Sequence, residues 1–500
     1  MIHNVLILGA GSAGLLAAIS LRKMLPALAV SVVRSSDIGV IGVGEGTTNS
    51  MPAFLFDHLK LNRSRFYAQA EPTWKLGIRF LWGPRDYFDY PFAFQLSGKW
   101  PYYSRPSGYY SDEDFHGIGL GSALMEAGNA FPRNAGAGGG PDMSVPFGFH
   151  IENVKFVETL ESIAQALGVT FVEGTVSGTE RGPAGIAALL LEGGRRLEAD
   201  LFVDCSGFRS ELLGRALGEE FVDYRRSLFC DRAVIGGWER TTEKILPYTT
   251  AETMEAGWAW QIEHEHHINR GYVYCSQAIS DEAAREEFLR KNPKALQSPR
   301  VVKFRSGRYR RVWVDNVVAI GNSAGFVEPL EATALMTVTR QCKNLILLLE
   351  DAGLRPNAAL RDLYNKLSSE TFDDTRDFLA LHYKFNTRLD NAFWRQCREE
   401  TEVGALGALL DFFHENGPSC LASLVLPSQD RNVFSLEGYL AILVGNRAPY
   451  KARCQLTDIE RVTWDHMCTT FRTQAEQALS VAESLSVIRS PLWRWKGETS

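Results

Sequence analysis

"NVLILGAGSAGLLAAISL", residues 4–21, decides the fold. Residues 3–8 are short, apolar and ended by glycine, the pattern of a strand buried in a parallel sheet. Residues 12–24 read as a helix, and "LAVSVVR" at 28–34 reads as the next strand, completing a β-α-β unit. Between them, "GAGSAG" at 9–14 fits G-x-G-x-x-G. A chain with 44 glycines produces that pattern by chance, so the flanking strand and helix carry the weight. In such a loop Gly9 makes the tight turn, Gly11 lets the backbone approach a pyrophosphate, and Gly14 permits close helix–strand packing. Ser12 and Ala13 open the helix, whose free N–H groups face the phosphates. The stretch predicts a dinucleotide site. It does not read as a signal peptide, because it lacks a basic leading segment and glycines interrupt it.

The totals fit a globular protein with more than one lobe. The chain has 500 residues, of which 45% are hydrophobic and 22% charged. A formal net charge of −6 gives no reason to expect nucleic acid or an anionic membrane as partner. The 8 cysteines form no CxxC, which points to reduced thiols and a cytoplasmic protein without a structural metal.

Along the chain, the region 76–150 is rich in Gly, Pro, Tyr and Phe, and is expected to hold long ordered loops with some strands. Residues 153–168 are expected to be helical. "GIAALLLEGGRRLEADLFVDCSG" contains a Gly-Gly hairpin followed by a buried strand. From about residue 335 strand signals fade and helical spacing takes over. The expected fold is α/β: a dinucleotide fold with mixed sheets and a mainly helical C-terminal part, which the flavin segments and the resemblance described next make FAD-binding and of the flavin monooxygenase type. The expected division is 1–340 for the FAD-binding and catalytic core, including the substrate-side loops 76–150, and 341–500 for the helical region.

Two further segments point to flavin. "DCSGFRS" at 204–210 ends a buried strand and begins with Asp204. "VVAIGNSAGFVEPLEATAL" at 317–335 is again a strand, a turn containing Gly321 and Gly325, and a helix start. Such turns direct backbone N–H groups at a flavin ring or an anion. The acid that usually binds a ribose hydroxyl after the second strand is here Arg34. Arg34 suits either the 2′-phosphate of NADP or a place along the adenosine of FAD, and the later segments favour FAD. No second nicotinamide-type motif is evident, so the reducing equivalents are expected to arrive as reduced flavin.

These segments resemble the flavin-dependent halogenases, in the tryptophan-halogenase branch. The matching pieces are "GAGSAG" (9–14), "GVGEGT" (42–47), "WKLGIRF" (74–80), "DCSGFRS" (204–210), "WAWQI" (258–262), "GNSAGFVEPLEAT" (321–333) and "YNKL…DFLALHYKFNTRLDNAFW" (364–394). The similarity runs to about residue 450. It implies that reduced FAD and O2 oxidise chloride or bromide to hypohalous acid, which reaches a lysine beside an electron-rich arene. The matching lysine is Lys75 and the matching active-site glutamate is Glu331. Thr333 and the Ala334 backbone align with the family's halide-binding turn. Gly44, Glu45 and Pro329 fall in its flavin-binding segments. Trp258, Trp260 and Ile262 match the wall between flavin and substrate. The resemblance also implies a separate NADH-dependent flavin reductase and a homodimer.

Chemistry supports these roles. Lysine delivers electrophilic halogen either as a haloamine or by hydrogen-bonding hypohalous acid, and a desolvated lysine favours the amine. A carboxylate at 331 stabilises a cationic ring and accepts its proton. Taken singly, Lys75 would read as a surface lysine and Glu331 as a helix N-terminal acid. The chain departs from the family's pattern at Ala332 (usually Ser), Ala334 (usually Gly) and Glu263 (usually Pro). It also lacks the "YYEEFD"-like lid that grips free tryptophan, offering only "RNVFSLEGYLAILVGN" at 431–446. Indole or a substituted indole is therefore favoured over free tryptophan. The competing functions are a flavin-dependent aromatic monooxygenase, which needs no Lys75, and a non-catalytic flavin-binding module, which would keep neither Lys75 nor Glu331.

"HEHH" at 264–267 does not have the spacing of a zinc site and reads as a polar, partly exposed turn.

Overall fold

The structure is a computed structural model, and it describes residues 1–35, 44–93, 117, 119–134, 139–295, 298–428, 431–452 and 456–495. The chain packs into two compact units. One comprises Met1–Glu71, Ile151–Tyr224 and Phe304–Asp373, and the other Pro72–His150, Arg225–Lys303 and Asp374–Ser500. Each unit is built from three segments, whereas the sequence alone suggested a single division at residue 340.

The first unit is organised by a six-stranded sheet in the order Trp313–Val314, Val317–Ala319, Leu201–Asp204, Asn4–Leu8, Ala29–Arg34, Thr170–Glu173. All neighbours are parallel except the first pair. The apolar runs at 5–8 and 201–203 are buried, as strands in the middle of a covered parallel sheet must be. The Ser12–Met24 helix follows the first strand and buries its residues from Gly14 to Leu21. The helix expected at 153–168 is Asn153–Ala166. The Gly-Gly hairpin is present too, with Gly185–Leu191 pairing with Arg196–Leu197.

The second unit is built on a seven-stranded sheet in the order Arg300–Lys303, Arg232–Glu239, His267–Tyr274, Gly257–Glu263, Thr249–Met254, Gly77–Leu81, Phe88–Pro91. Only Thr249–Met254 and Gly77–Leu81 run parallel. The Asp281–Lys291 helix covers one face: its Ala284 and Phe288 pack with Val234, Met254, Ala259, Tyr272 and Tyr274. In the loop-rich region 76–150 the structure describes strands at 77–81 and 88–91, a helix at Leu120–Ala127 and the start of the Gly148–Ile151 strand. Much of the rest of that region lies outside the described residues. Beyond residue 391 the described elements are helical, from Ala392–Glu400 to Val481–Ile488.

Candidate active site

The glycine loop has the geometry its sequence demands. Gly9 sits at φ +109°, and a Cβ there would lie 2.4 Å from the Cys205 carbonyl oxygen. A Cβ on Gly14 would lie 1.9 Å from the Gly9 carbonyl oxygen. Both positions therefore need glycine for packing. Gly11 differs: a Cβ there would meet nothing within 4 Å. It opens the Ser12–Met24 helix with no side-chain cap, leaving first-turn N–H groups to a ligand or to water.

The three glycine-bearing segments meet in the first unit. The Leu201–Asp204 strand pairs with both Asn4–Leu8 and Val317–Ala319. Ser323 donates its hydroxyl to the Asp204 carbonyl, and Ser210 donates to the Ser323 carbonyl at 2.8 Å. Gly321, at φ +72°, packs so close to Ala13 that a Cβ would come within 2.9 Å of it. The Asp204 carboxylate is fully engaged by its own turn: it accepts from Ser206 N and Oγ and from the N–H groups of Leu212 and Leu213. Burial pushes its pKa up, against the pull of those hydrogen bonds. Asp204 thus shapes the turn, and its carboxylate has no lone pair directed elsewhere.

Arg34 is held by Glu161 and Glu173 and lies over the Phe171 ring. Two carboxylates already satisfy its charge, which makes it a poor receptor for a 2′-phosphate and favours FAD over NADP. Glu45 accepts from the Asn153 amide at 3.0 Å, and burial raises its pKa. Gly44 precedes it at φ +91°.

The turn after the third strand is longer than its sequence suggested. A 3-10 turn at Gly321–Ser323 and a two-residue strand at Gly325–Phe326 come first, and the helix starts only at Thr333. Pro329 is exposed and its carbonyl accepts from Ala332 N at 3.0 Å. Ala332 is left-handed, at φ +56°, and no side chain caps the helix. Glu331 and Thr333 are buried on either side of it. The Thr333 hydroxyl is buried with no hydrogen-bond partner. A crevice beside this helix start is lined by Gly321, Asn322, Gly325, Phe326, Ala334 and Thr337 among others. The proposed flavin turn and halide turn therefore share one crevice.

The second unit holds Lys75, on the Thr73–Lys75 strand that pairs with Gly148–Ile151. Lys75 is fully buried, and its Nζ lies 5.4 Å from the centre of the Phe92 ring. A surface lysine is thereby ruled out. Thr73 donates to the carbonyl of Glu263, which ties this strand to the Trp258–Ile262 strand. Trp258, Trp260 and Ile262 alternate onto one face and are buried, while Ala259 packs toward the helix on the other face. The Trp260 ring lies over Gly271, where a Cβ would come within 2.0 Å of it.

Glu263 and His264 are buried, so the polar turn is narrower than the sequence suggested, and only His266 is exposed. Glu263 pairs with buried Arg240 at 2.5 Å and accepts from the Gln261 amide at 2.7 Å. Arg240 and His150, which neighbours Lys75, were missed by the sequence reading. An acid ending an otherwise apolar strand was the available signal for a buried cation.

The tryptophan halogenase family model matches residues 4–459. The chain belongs to the tryptophan halogenase family. The halogenase is 35% identical over 429 residues to tryptophan 7-halogenase KtzQ of Kutzneria sp. (strain 744), covering 80% of this chain and 79% of that protein. It is 30% identical to tryptophan 7-halogenase RebH of Lentzea aerocolonigenes, covering 89% of each. Among solved structures, MibH, a lanthipeptide tryptophan 5-halogenase, superposes with a TM-score of 0.88 at 34% identity, covering 97% of this chain and 93% of that one. BrvH, a flavin-dependent halogenase from Brevundimonas sp. BAL3, gives 0.85 at 28% identity, covering 97% and 99%. The halogenase is therefore a flavin-dependent enzyme, and its family implies FAD. The residues fit that group: the open side of Gly11, the uncapped helix behind it and the interlocked turns at 204–210 and 321–325 form a cradle. No group of His, Cys, Asp and Glu among the described residues could hold a metal. No described helix is long and apolar enough to cross a membrane.

Proposed function

We propose that this halogenase uses FADH2, O2 and chloride or bromide to form hypohalous acid, which Lys75 delivers to an electron-rich arene. A separate NADH-dependent flavin reductase supplies the FADH2. The observation that carries this reading is a fully buried lysine at the family's lysine position, on a strand tied to the Trp258–Ile262 strand. When bound, reduced flavin supplies with O2 the two-electron oxidation of halide.

The chain's own residues do the rest. Gly9, Gly11 and Gly14, with the Ser12–Ala13 helix start, hold the pyrophosphate. The uncapped start of the Thr333 helix and the unpartnered Thr333 hydroxyl offer N–H and O–H donors to a halide. Trp258, Trp260 and Ile262 wall the passage and keep substrate from the flavin. Lys75 either takes up the halogen as a haloamine with loss of water, or donates a hydrogen bond to hypohalous acid. Glu331 stabilises the cationic ring and takes the proton it releases.

Indole or a substituted indole is the favoured substrate over free tryptophan. The 431–446 segment supports this. It forms the Ser435–Gly445 helix, buried from Gly438 onward and carrying Glu437 as its one acid. Nothing there resembles an acidic grip for an ammonium. A tryptophan within a peptide, as in the name of MibH, equally lacks the free amino-acid ends.

The test supplies FAD, NADH, a flavin reductase and bromide with indole or with free tryptophan, and weighs the products. Brominated indole formed faster than brominated tryptophan is expected. A product heavier by oxygen alone would favour the monooxygenase reading instead.

A further inference from the structure

Thr73 and Lys75 are two apart on one strand and so share a face, and His150 stands directly across from Thr73 in the register. His150 is therefore the diagonal neighbour of Lys75 on that face. It is fully buried, and its two nitrogens meet two threonines: Nε2 lies 2.9 Å from Thr249 Oγ1, and Nδ1 lies 3.5 Å from Thr73 Oγ1. A hydroxyl has one proton, and Thr73 gives its own to the Glu263 carbonyl. Toward His150 it can only accept, so Nδ1 carries the ring proton. In the neutral ring Nε2 is then the acceptor, and Thr249 donates to it.

Among the described residues, the ionisable groups that act on His150 are Lys75, His264 and Arg240, with the Glu263 carbonyl beside them. Glu263 faces Arg240 and Gln261 through its two oxygens. His264 accepts at Nε2 from the Asn269 amide at 3.1 Å, which also requires an uncharged nitrogen. Burial, above all, holds His150 well below the ordinary imidazole value. His150 is thus uncharged at neutral pH.

We propose that His150 is a positioning residue for Lys75: with both nitrogens engaged by threonines, it faces the lysine with an uncharged ring that accepts no ammonium proton, and so favours the free amine. This rests on Lys75 as the delivering residue. Free amine is the form that bonds electrophilic halogen, so His150 acts through Lys75 without touching substrate.

The experiment follows the Lys75 Cε signal in ε-13C-lysine-labelled protein without flavin, assigned by its loss in Lys75→Met, across a pH titration. His150→Glu offers the ammonium a carboxylate. It should raise the Lys75 midpoint by about one pH unit or more. Halogenation at neutral pH should then fall about tenfold, in step with the amine fraction. Thr249→Val frees Nε2 as an acceptor and should shift the midpoint the same way by less, while Thr249→Ser restores it. If His150→Glu fails to fold, the Thr249 pair decides alone. Midpoints unchanged in these variants would overturn the inference. Undiminished halogenation by Lys75→Met would instead overturn the delivery reading, and the titration would still decide what His150 does to the lysine.

Discussion

Ser210 donates its hydroxyl to the backbone carbonyl of Ser323 at 2.8 Å, joining two glycine-rich turns 113 residues apart in the chain. Ser210 Oγ also accepts from Gly214 N at 3.0 Å, and Ser323 passes the link on to Asp204. Both serines are buried. Ser210→Ala leaves the buried Ser323 carbonyl without this partner, while Gly214 N keeps the Ser210 carbonyl, and should cost about 1–3 kcal/mol in denaturant unfolding. FAD affinity should fall with it, because the two turns lose their mutual register. A variant that unfolds like the wild type would show that the link is incidental.

Gly11 and Gly14 separate the cradle from a plain turn. Gly14→Ala places a methyl 1.9 Å from a backbone oxygen and should destabilise the whole unit. Gly11→Ala meets nothing of the protein. It should leave the melting temperature of the flavin-free protein unchanged while weakening FAD binding about tenfold, read by flavin fluorescence quenching. Unchanged FAD binding would remove the pyrophosphate from this loop.

Thr333→Val is close in shape and removes a buried hydroxyl that has no partner. Without ligand the protein should be equally or more stable, since no hydrogen bond is lost. The KM for bromide should rise several-fold, with reduced-flavin oxidation unaffected. A stability loss without a change in halide KM would make the hydroxyl a structural group.

The Arg240–Glu263 pair is nearly inaccessible to solvent at both side chains, 6% and 2%. Removing one partner strands a charge, so Glu263→Ala should cost about 3–5 kcal/mol. An Arg240→Met, Glu263→Leu double variant should recover most of that loss. The measurement is urea unfolding of the wild type and the two variants, and a double variant no more stable than Glu263→Ala would contradict the pairing.

Much of the flavin-binding half was legible in the sequence because its signals are local. Gly14 is fixed by a clash with nearby Gly9, Gly9 by its left-handed backbone, and the Gly185–Leu191 hairpin by its turn, although the carbonyl that crowds Gly9 comes from distant Cys205. Lys75 was legible through its motif alone, since nothing local says that a lysine after Trp74 is buried. The environment of Lys75 was hidden because it is assembled by register: His150, Thr249 and Glu263 come from three distant strands. Asp204 shows the opposite limit. Its position at a strand end suggested a ligand contact, yet the structure turns its carboxylate onto N–H groups a few residues ahead. Glu263 was visible as an oddity, but its partner Arg240 follows the Arg232–Glu239 strand, two places across the sheet, which local pattern does not reach.

The most direct test of the account is Lys75→Met, assayed with FADH2, O2, bromide and indole, with brominated product and reduced-flavin consumption measured in the same reaction. The expected result is continued flavin oxidation with bromination down by about a thousandfold, as for loss of a group that acts directly on the reacting atoms. Bromination at the wild-type rate by this variant would contradict the central claim that the halogen passes through Lys75.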